Sequence, residues 1–248
     1  MTAVDVAFGS VLPTPRLPRW MTVVLALALA FSGIVGLVLF YAGATTYAQI
    51  ASADGFERIA FLVPAGAPLE QRRPVRYDVP TRVELHEATL RFVLSQAPGV
   101  PRDPTTRDPL FASDERQHLE DVRGVFTAVR IAALVALATA LALVWSASRA
   151  GSAVVLRLVR DAAVLAAVIV AAIAGLFALA FEPAFLAFHY VFFPQGNFLF
   201  DPATSDLLAL YPETYWYGVT IRIGLTFVGG VVFAAIGATL LLRARATR

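Results

Sequence analysis

Four stretches of the sequence are almost entirely apolar, and more polar segments separate them. Each is about 20 residues long, the length that a helix needs to cross the hydrocarbon core of a bilayer with its backbone hydrogen bonds satisfied. We therefore predict membrane-spanning helices at residues 21–44, 126–146, 162–181 and 219–242. The apolar core of the first stretch is far longer than that of a signal peptide, so we interpret this stretch as an uncleaved anchor.

Eight of the 20 arginines flank the spans at one end of the predicted bundle. They precede the first span, connect the second to the third and follow the fourth, and these are Arg16, Arg19, Arg149, Arg157, Arg160, Arg243, Arg245 and Arg248. Because basic residues are retained on the cytoplasmic side, we predict that both termini face the cytoplasm. Residues 45–125 and 182–218 then lie outside the cell. We expect one integral domain over residues 1–248 in the cell membrane, with its active site on the extracytoplasmic face.

The first outer segment, residues 45–125, predicts a small cap that is partly helical and partly irregular. Residues 81–84, Thr-Arg-Val-Glu, match the capping-box pattern, so we expect a helix to begin there and to run to about Gln96. Val83, Leu90 and Val93 or Leu94 fall on one apolar face of this helix.

Two further elements are predicted in the same segment. The apolar residues 59–63 indicate a short strand. Ser113 is a good N-cap, and two acidic residues follow it where the helix dipole favours negative charge. We expect this second helix to continue without a break into the second span.

The second outer segment, residues 182–218, is too polar for a span and too aromatic for an ordinary loop. Because Trp and Tyr favour the boundary between membrane and water, we place it at the bilayer surface. We predict a short helix over residues 184–193 after Pro183, and the start of the fourth long helix at Pro212 and Glu213. The predicted fold is therefore an all-α membrane protein with four transmembrane helices, a mostly helical and irregular cap, and an aromatic outer loop.

Composition supports membrane insertion and excludes several kinds of chemistry. Hydrophobic residues make up 58% of the chain and charged residues 15%, whereas an ordinary soluble domain has about 25% charged residues. All 20 basic residues are Arg and there is no Cys, which excludes Schiff-base lysines, disulfides and thiolate nucleophiles. The sequence pI is about 9.2, yet the arginines are scattered rather than clustered on one face, so we expect no nucleic-acid partner.

Two of the three histidines, His118 and His189, are predicted at the same depth on different helices. Imidazoles titrate near neutrality, so such a pair can act as base and acid. Asp121 shares a helical face with His118, and we expect its carboxylate to accept the second ring proton of that imidazole. The alternative is a purely structural role, in which each histidine only hydrogen-bonds a nearby carbonyl. We expect His86, on an apolar helical face, to be packed within the cap.

Other charged groups leave alternatives open. A metal site would need His118, His189 and a third ligand such as Asp121, Asp201 or Glu182. No HxxxH or HExxH spacing supports one, so we expect neither a metal nor a cofactor. Arg130 and Arg222 either hold an anionic headgroup or an oxyanion, or they pair with Asp121 and Asp201.

Two motifs resemble the signature of a family of four-span bacterial membrane proteins that includes the lipoprotein intramolecular transacylases. The first is residues 111–123, Phe-Ala-Ser-Asp-Glu-Arg-Gln-His-Leu-Glu-Asp-Val-Arg. The second is residues 188–194, Phe-His-Tyr-Val-Phe-Phe-Pro, followed by Asn197, Phe198, Asp201-Pro202 and residues 210–216. The four-span layout is similar along almost the whole chain.

The resemblance implies an enzyme that moves the sn-2 acyl chain of a diacylglyceryl-modified cysteine, at the N-terminus of a lipoprotein, onto the α-amine of that cysteine. It implies that His118 and His189 are the catalytic pair. Our hypothesis makes His118, oriented by Asp121, the base, and makes His189 the proton donor to the oxyanion or leaving alkoxide, although the roles can be exchanged. We expect substrate contacts from Arg123, Arg130, Tyr190, Phe193, Asn197, Asp201, Trp216 and Arg222.

Two rival functions remain open at this point. A scaffold or chaperone subunit would use the aromatic outer loop for docking and would not depend on either histidine. A phospholipase or a different acyl exchanger would use the same pair on another lipid. A transporter is disfavoured because matching broken-helix segments are missing from the two halves of the sequence. The expected partners are the lipidated N-terminus of a lipoprotein and membrane lipid, with a monomer as the default state.

Overall fold

A computed structural model describes residues 17–247, and helices dominate this part of the chain. Four helices are long and apolar enough to cross a membrane: α1 (Arg19–Tyr41), α4 (Ser113–Ser148), α5 (Ser152–Leu179) and α8 (Glu213–Ala246). They confirm the four predicted spans. The shorter helices are α2 (Ala44–Asp54), α3 (Val79–Val93), α6 (Phe181–Phe192) and α7 (Asp206–Leu210). The predicted cytoplasmic arginines Arg16 and Arg248 lie outside the described residues.

The end of the first span was predicted three residues too late. Helix α1 ends at Tyr41, and a new helix, α2, begins at Ala44 after the N-cap Gly43. This break was not predicted because small apolar residues continue across it from Ala42 to Ala44. Helix α2 was missed, and it directs the chain from the bundle into the cap.

Helix α4 is unbroken over 36 residues, as predicted. At 1.5 Å per residue it is about 54 Å long, whereas the hydrocarbon core is only about 30 Å thick. Its apolar part, residues 126–146, therefore crosses the membrane, and its first three turns extend into the cap. The predicted N-cap was wrong by one residue: Ala112 occupies that position and donates its N–H to Glu115 Oε2 at 2.8 Å.

Helix α3 begins earlier than the capping-box pattern indicated. Asp78 is the N-cap, and its Oδ1 accepts a hydrogen bond from the Thr81 N–H at 3.0 Å. On the predicted apolar face, Val93 is buried, whereas Val83 and Leu90 are half-buried. The full set of buried residues is Arg82, Leu85, His86, Thr89, Phe92 and Val93. Polar residues lie on this face because the surrounding cap supplies them with hydrogen-bond partners.

A two-stranded antiparallel sheet lies beside α3 in the cap. Strand β1 (Phe61–Val63) confirms the predicted strand, and it pairs with β2 (Arg73–Val75), which was missed. Pro74 lies opposite Leu62 in this register. A proline cannot donate to a ladder, so it is tolerated here because the sheet has only two strands and both are edges.

The described residues form two hydrophobic cores. The cap core combines aliphatic side chains with many aromatic ones, among them Tyr47, Phe56, Phe61, Phe111 and Tyr211. The bundle core is built largely from Ala and Leu, which lets α1, α4, α5 and α8 approach closely. At Gly224 of α8, an added Cβ would lie 2.9 Å from the Cβ of Ala174 in α5, so this crossing requires glycine.

Between α5 and α8 the chain makes the aromatic segment predicted at residues 182–218. Helix α6 begins at Phe181, three residues earlier than expected, and ends at Phe192. A turn with Gly196 at φ 78° follows, then the missed helix α7. Helix α8 begins at Glu213, as predicted.

Candidate active site

His118 lies in the second turn of α4, in the part that extends into the cap. Its side chain is buried, with 6% of its surface exposed. The rings of Phe193 and Phe200 pack edge-on against it, at centroid distances of 4.8 and 5.6 Å. The third turn of α4 carries Asp121 on the same side, so one helix supplies an imidazole and a carboxylate to one region of the cap.

His189 reaches the same place from α6. The two imidazole rings are nearly parallel, with centroids 6.2 Å apart and an interplanar angle of 26°. The Nδ1 atom of His189 donates a hydrogen bond to the carbonyl oxygen of Phe185, one turn earlier, at 2.8 Å. This bond places a proton on Nδ1, so Nε2 of neutral His189 carries the free lone pair.

Aromatic side chains surround the two imidazoles. Phe193 contacts both, since its ring centroid is 5.7 Å from that of His189 as well as close to His118. Phe185 and Phe198 pack on His189 at 4.3 and 5.0 Å. Apolar walls of this kind exclude water and strengthen every electrostatic interaction inside the site.

Asp121 does not hydrogen-bond His118, contrary to our expectation. Among the described residues its Oδ2 atom instead accepts bonds from the side-chain amides of Gln195, at 2.9 Å, and Asn197. The carboxylate therefore ties α4 to the turn after α6. The reason is geometric: that turn brings two amide donors to Asp121, which side-chain spacing on α4 alone does not disclose.

Asn197 links Asp121 to His118. Its Nδ2 donates to the carboxylate, so its Oδ1 points away from Asp121. This Oδ1 and the Nδ1 of His118 are both buried, and neither has a hydrogen-bond partner of good geometry among the described residues. The Asn197 amide is nonetheless near enough to His118 to favour its protonated form, which raises the pKa of that imidazole.

Burial holds both imidazoles in the neutral form. It lowers the pKa of His118, and a charge on His189 lowers that pKa further, whereas Asn197 and Asp121 act in the opposite direction. Burial also lowers the pKa of His189, against the effect of the Phe185 carbonyl. At neutral pH the site therefore contains two bases, and a proton on one disfavours a proton on the other.

A family model matches residues 79–216, more than half of the chain, and its description is lipoprotein intramolecular transacylase Lit. This range contains His118 and His189 and all but the last two residues of the aromatic segment. The chain belongs to the lipoprotein intramolecular transacylase family. It is accordingly an enzyme of the transferase class, and it is integral to the membrane. No curated protein matches the chain by sequence.

Solved structures of a transacylase show the same fold. The membrane-integral lipoprotein intramolecular transacylase Lit from Bacillus cereus superimposes with a TM-score of 0.74 at 16% identity, over 93% of this chain and 98% of that chain. A form of that protein with one histidine changed to alanine gives a TM-score of 0.70 at 16% identity, over 93% and 96% of the two chains. A form with histidine changed to arginine gives 0.68 at 15% identity, over 92% and 93%.

Three further residues that we predicted to contact substrate lie in or beside the aromatic shell of this transacylase. Phe193 is buried between the imidazoles. Tyr190 is half exposed and packs edge-on against Phe198 at 5.1 Å. Trp216, at the start of α8, lies 5.8 Å from Phe185, the ring that packs on His189.

The remaining predicted residues lie elsewhere, and the structure does not bring them into contact with the imidazoles. Arg123 donates to Ser95 Oγ at 3.0 Å, and Arg130 donates to the Leu94 carbonyl at 3.3 Å, so both bind the end of α3. Asp201 closes its own turn by accepting from the Ala203 N–H at 2.9 Å.

Arg222 lies on the face of α8 that is turned toward α2. It donates to the Gly218 carbonyl at 3.0 Å and lines a cavity of about 350 Å³ between α2 and α8. Asp54 and Glu213 also line this cavity. The predicted pairing of Arg222 with Asp201 does not occur among the described residues, because Asp201 is occupied in its own turn.

His86, the third histidine, is packed within the cap, as expected. It stacks on Tyr47 at 4.4 Å and hydrogen-bonds the Tyr211 hydroxyl at 3.0 Å and the Ala42 carbonyl at 2.8 Å. Burial lowers its pKa to about 4. The imidazole therefore joins the end of α1 to the segment before α8.

Sequence reasoning missed three residues that shape the site. Gln195 is the second amide on Asp121, and its only signal was its place in the turn of residues 194–197. Phe200 packs on His118. Buried Glu115 accepts from Ser205 Oγ at 2.6 Å and from the Leu207 N–H at 2.8 Å, which fixes the start of α7 to α4.

A metal ion finds no complete ligand set in residues 17–247. No group of three or more His, Cys, Asp or Glu side chains with suitable spacing occurs there. Asp121 is engaged by two amides, and Asp201 by its own turn. The arrangement is suited to proton transfer between the two imidazoles and a bound substrate.

Proposed function

We propose that this transacylase moves the sn-2 acyl chain of a diacylglyceryl-modified cysteine onto the α-amine of the same cysteine, and that His118 and His189 carry the protons. The product is an N-acyl, S-monoacylglyceryl lipoprotein. The observation that supports this most strongly is the pair of buried imidazoles 6.2 Å apart, in a chain of the transacylase family. Acyl transfer to an amine requires removal of protons from nitrogen and delivery of one to the leaving oxygen.

The site lies on the extracytoplasmic side of the cell membrane in this proposal, with both termini in the cytoplasm. The supporting feature is the distribution of arginine: the end of the bundle opposite the cap carries Arg19, Arg149, Arg157, Arg243 and Arg245, among others, whereas the segment of residues 182–218 has none. Acyl chains then enter between helices while the cysteine stays at the surface.

The reaction places modest demands on the protein because amine and ester belong to one substrate molecule. The enzyme has to fold the substrate so that the nitrogen approaches the ester carbonyl, and orientation of this kind accounts for a large part of a barrier. The rings of Phe185, Phe193 and Phe198 supply an apolar surface for that folding. By excluding water they also disfavour hydrolysis of the ester.

Two protons leave the substrate nitrogen. An α-amine has a pKa of about 7.7–8.0, so at neutral pH it enters mostly as an ammonium. Nε2 of neutral His189 accepts the first proton, because the Phe185 carbonyl fixes the tautomer with the lone pair on that atom. The resulting imidazolium then donates to the developing oxyanion and finally protonates the leaving sn-2 alkoxide.

His118 accepts the second proton as the amine nitrogen bonds to the carbonyl carbon. The Asp121 carboxylate stabilises the imidazolium that forms, and Asn197 transmits this effect since it is bound to Asp121 and adjoins His118. Repulsion between the two imidazoles favours loss of the proton from His189 as His118 gains one. His118 later releases its proton to solvent, so the overall reaction converts ammonium and ester into amide, alcohol and one proton.

The test is mass spectrometry of the N-terminal lipopeptide of one lipoprotein, produced in a host that lacks N-acylating enzymes. The host expresses the wild type, His118→Ala, His189→Ala or His86→Ala. We expect the wild type to give an N-acyl, S-monoacylglyceryl cysteine with unchanged total acyl mass, and the first two variants to leave the diacylglyceryl form. His86→Ala is a matched control for loss of a buried imidazole. Cells in which this variant accumulates should still form the N-acyl product.

Other products decide among the rivals. Loss of one acyl chain without N-acylation would identify a lipid hydrolase. Unmodified lipopeptide with the wild type would overturn the proposal for that substrate. Wild-type product in both His118→Ala and His189→Ala would leave the transacylase activity intact and would refute the paired-histidine mechanism.

A further inference from the structure

A groove of about 450 Å³ runs between α5 and α8 at the end of the bundle opposite the cap. Its floor is formed by Ala167 and Ala235, whose small side chains are buried and leave a furrow between the two helices. Exposed aliphatic side chains form its walls, and these are Val164, Val168, Val232, Ile236 and Leu240. From Val232 to Leu240 the helical rise amounts to about 12 Å, so the groove is long and narrow.

Two arginines close the end of the groove that is farthest from the cap. Arg160 lies on α5 and Arg243 near the end of α8. Asp161 holds the Arg160 guanidinium by accepting from Nε at 2.8 Å, and a second nitrogen is 2.7 Å from the same carboxylate oxygen. Arg243 has no hydrogen bond or ion pair within residues 17–247, so its charge is available to a ligand.

The surroundings of the groove reinforce its positive charge. In the described part of the chain this end of the bundle carries Arg19, Arg149, Arg157, Arg160, Arg243 and Arg245. Asp161 is the one acidic residue described there. A basic pocket between membrane helices, at headgroup depth and continuous with an apolar furrow, favours an amphiphile with an anionic head.

We propose that this groove is a binding site for an anionic glycerophospholipid. One acyl chain lies between α5 and α8 over Ala167 and Ala235, and the phosphate lies between Arg160 and Arg243. The groove matches both parts of such a lipid, since a zwitterionic lipid would bring a cation to the arginines and a soluble anion would leave the furrow unfilled. The site is at the opposite end of the bundle from His118 and His189, so it does not depend on the proposed reaction.

A bound lipid would act on the fold through the helices that it joins. Helix α5 leads directly into α6, which carries His189, and α8 follows the aromatic segment. A ligand that binds only the folded protein raises its stability in proportion to the logarithm of ligand concentration. We therefore expect the anionic lipid to raise the unfolding temperature of the protein in detergent.

The experiment is native mass spectrometry of the purified full-length protein, titrated separately with phosphatidylglycerol and phosphatidylethanolamine. We expect one saturable phosphatidylglycerol adduct and at least roughly tenfold weaker phosphatidylethanolamine binding. The double variant Arg160→Gln/Arg243→Gln should lose the preference for phosphatidylglycerol. Equal binding of both lipids by the wild type, or an unchanged preference in the double variant, would overturn the proposal.

Two further variants separate a defined groove from diffuse surface charge. Arg149→Gln removes a charge at the same end but outside the groove, where the guanidinium lies 4.0 Å above the Trp145 ring. It should leave the adduct nearly unchanged, and a loss equal to that of the double variant would refute the groove. Ala235→Leu fills the floor and should weaken the adduct with both arginines present. A wild-type unfolding temperature in lipid-free detergent would show that each variant is folded.

Discussion

The imidazoles of His118 and His189 face each other across 6.2 Å although they belong to helices of different kinds. One ring comes from the extended first turns of a membrane-spanning helix, and the other from a short helix at the surface. Phe193 contacts both rings and holds this pairing in an apolar environment. The geometry leads to testable expectations for the site and for the cap.

The pH dependence of acyl transfer should show the depressed pKa values of the histidines. Burial lowers both pKa values, so both imidazoles stay neutral at pH values below about 6.5, the usual imidazole pKa. The loss of rate on the acid side of the profile should therefore occur below that pH. A second rise near pH 8 should follow the substrate amine. The measurement is a pH–rate profile with a synthetic diacylglyceryl lipopeptide.

Asp121→Asn should move the histidine limb of that profile to lower pH. The Asp121 carboxylate raises the pKa of His118, so its removal lowers that pKa further. The neutral variant keeps the size of the side chain and one oxygen that can accept from Gln195 and Asn197. A limb that stays in place, or moves to higher pH, would show that Asp121 does not act on His118.

Asn197→Ala should slow the transfer step by roughly tenfold or more, because it removes the side chain between Asp121 and His118 and leaves buried polar groups unpaired. Gln195→Ala is the matched control: Gln195 also bonds Asp121 but lies in the exposed part of the turn. We expect a smaller effect there. Equal losses in kcat for both variants would indicate that these amides only fix the turn.

Arg82→Leu should unfold the cap. The guanidinium is fully buried and donates to the carbonyl oxygens of Tyr77, Ala209 and Ile59. Each carbonyl left unpaired costs about 1–3 kcal/mol, so the expected loss of stability is several kcal/mol. Arg91→Gln on the same helix breaks only an exposed pair with Glu87 at 3.7 Å and should cost less than about 1 kcal/mol. Thermal unfolding in detergent measures both, and similar midpoints would contradict the expectation.

Stability should fall as the pH rises toward 7 because of Asp206. Burial raises the pKa of this carboxyl to about 7, well above its unfolded value near 3.9. The folded state therefore binds the proton more tightly, and the stabilisation present below pH 4 is lost as the pH rises through 7. Asp206→Asn should remove this dependence and raise the unfolding temperature at pH 8 relative to the wild type. Glu84→Gln, at an exposed position, is the control: it should leave both the pH dependence and the unfolding temperature at pH 8 unchanged.

The fold could be predicted well where it depends on the membrane. A backbone in hydrocarbon has to satisfy its hydrogen bonds internally, so apolar stretches of about 20 residues specify helices almost regardless of their neighbours. The unbroken α4 and the start of α8 were predicted instead from helix-start signals near Ser113 and at Pro212. The cap was predicted less well, since its short elements α2, β2 and α7 depend on contacts between distant segments.

The sequence by itself determined the four spans and the aromatic segment, and it indicated His118 and His189 as candidates, because these depend on local composition and on motifs. Only the tertiary structure decided that the rings of His118 and His189 meet, that Asp121 binds Gln195 and Asn197 rather than His118, and that Arg82 is buried. The physical reason is that hydrogen-bond partners and burial in the cap are set by how α3, α4, α6 and the following turn pack together. No periodicity along one helix contains that information.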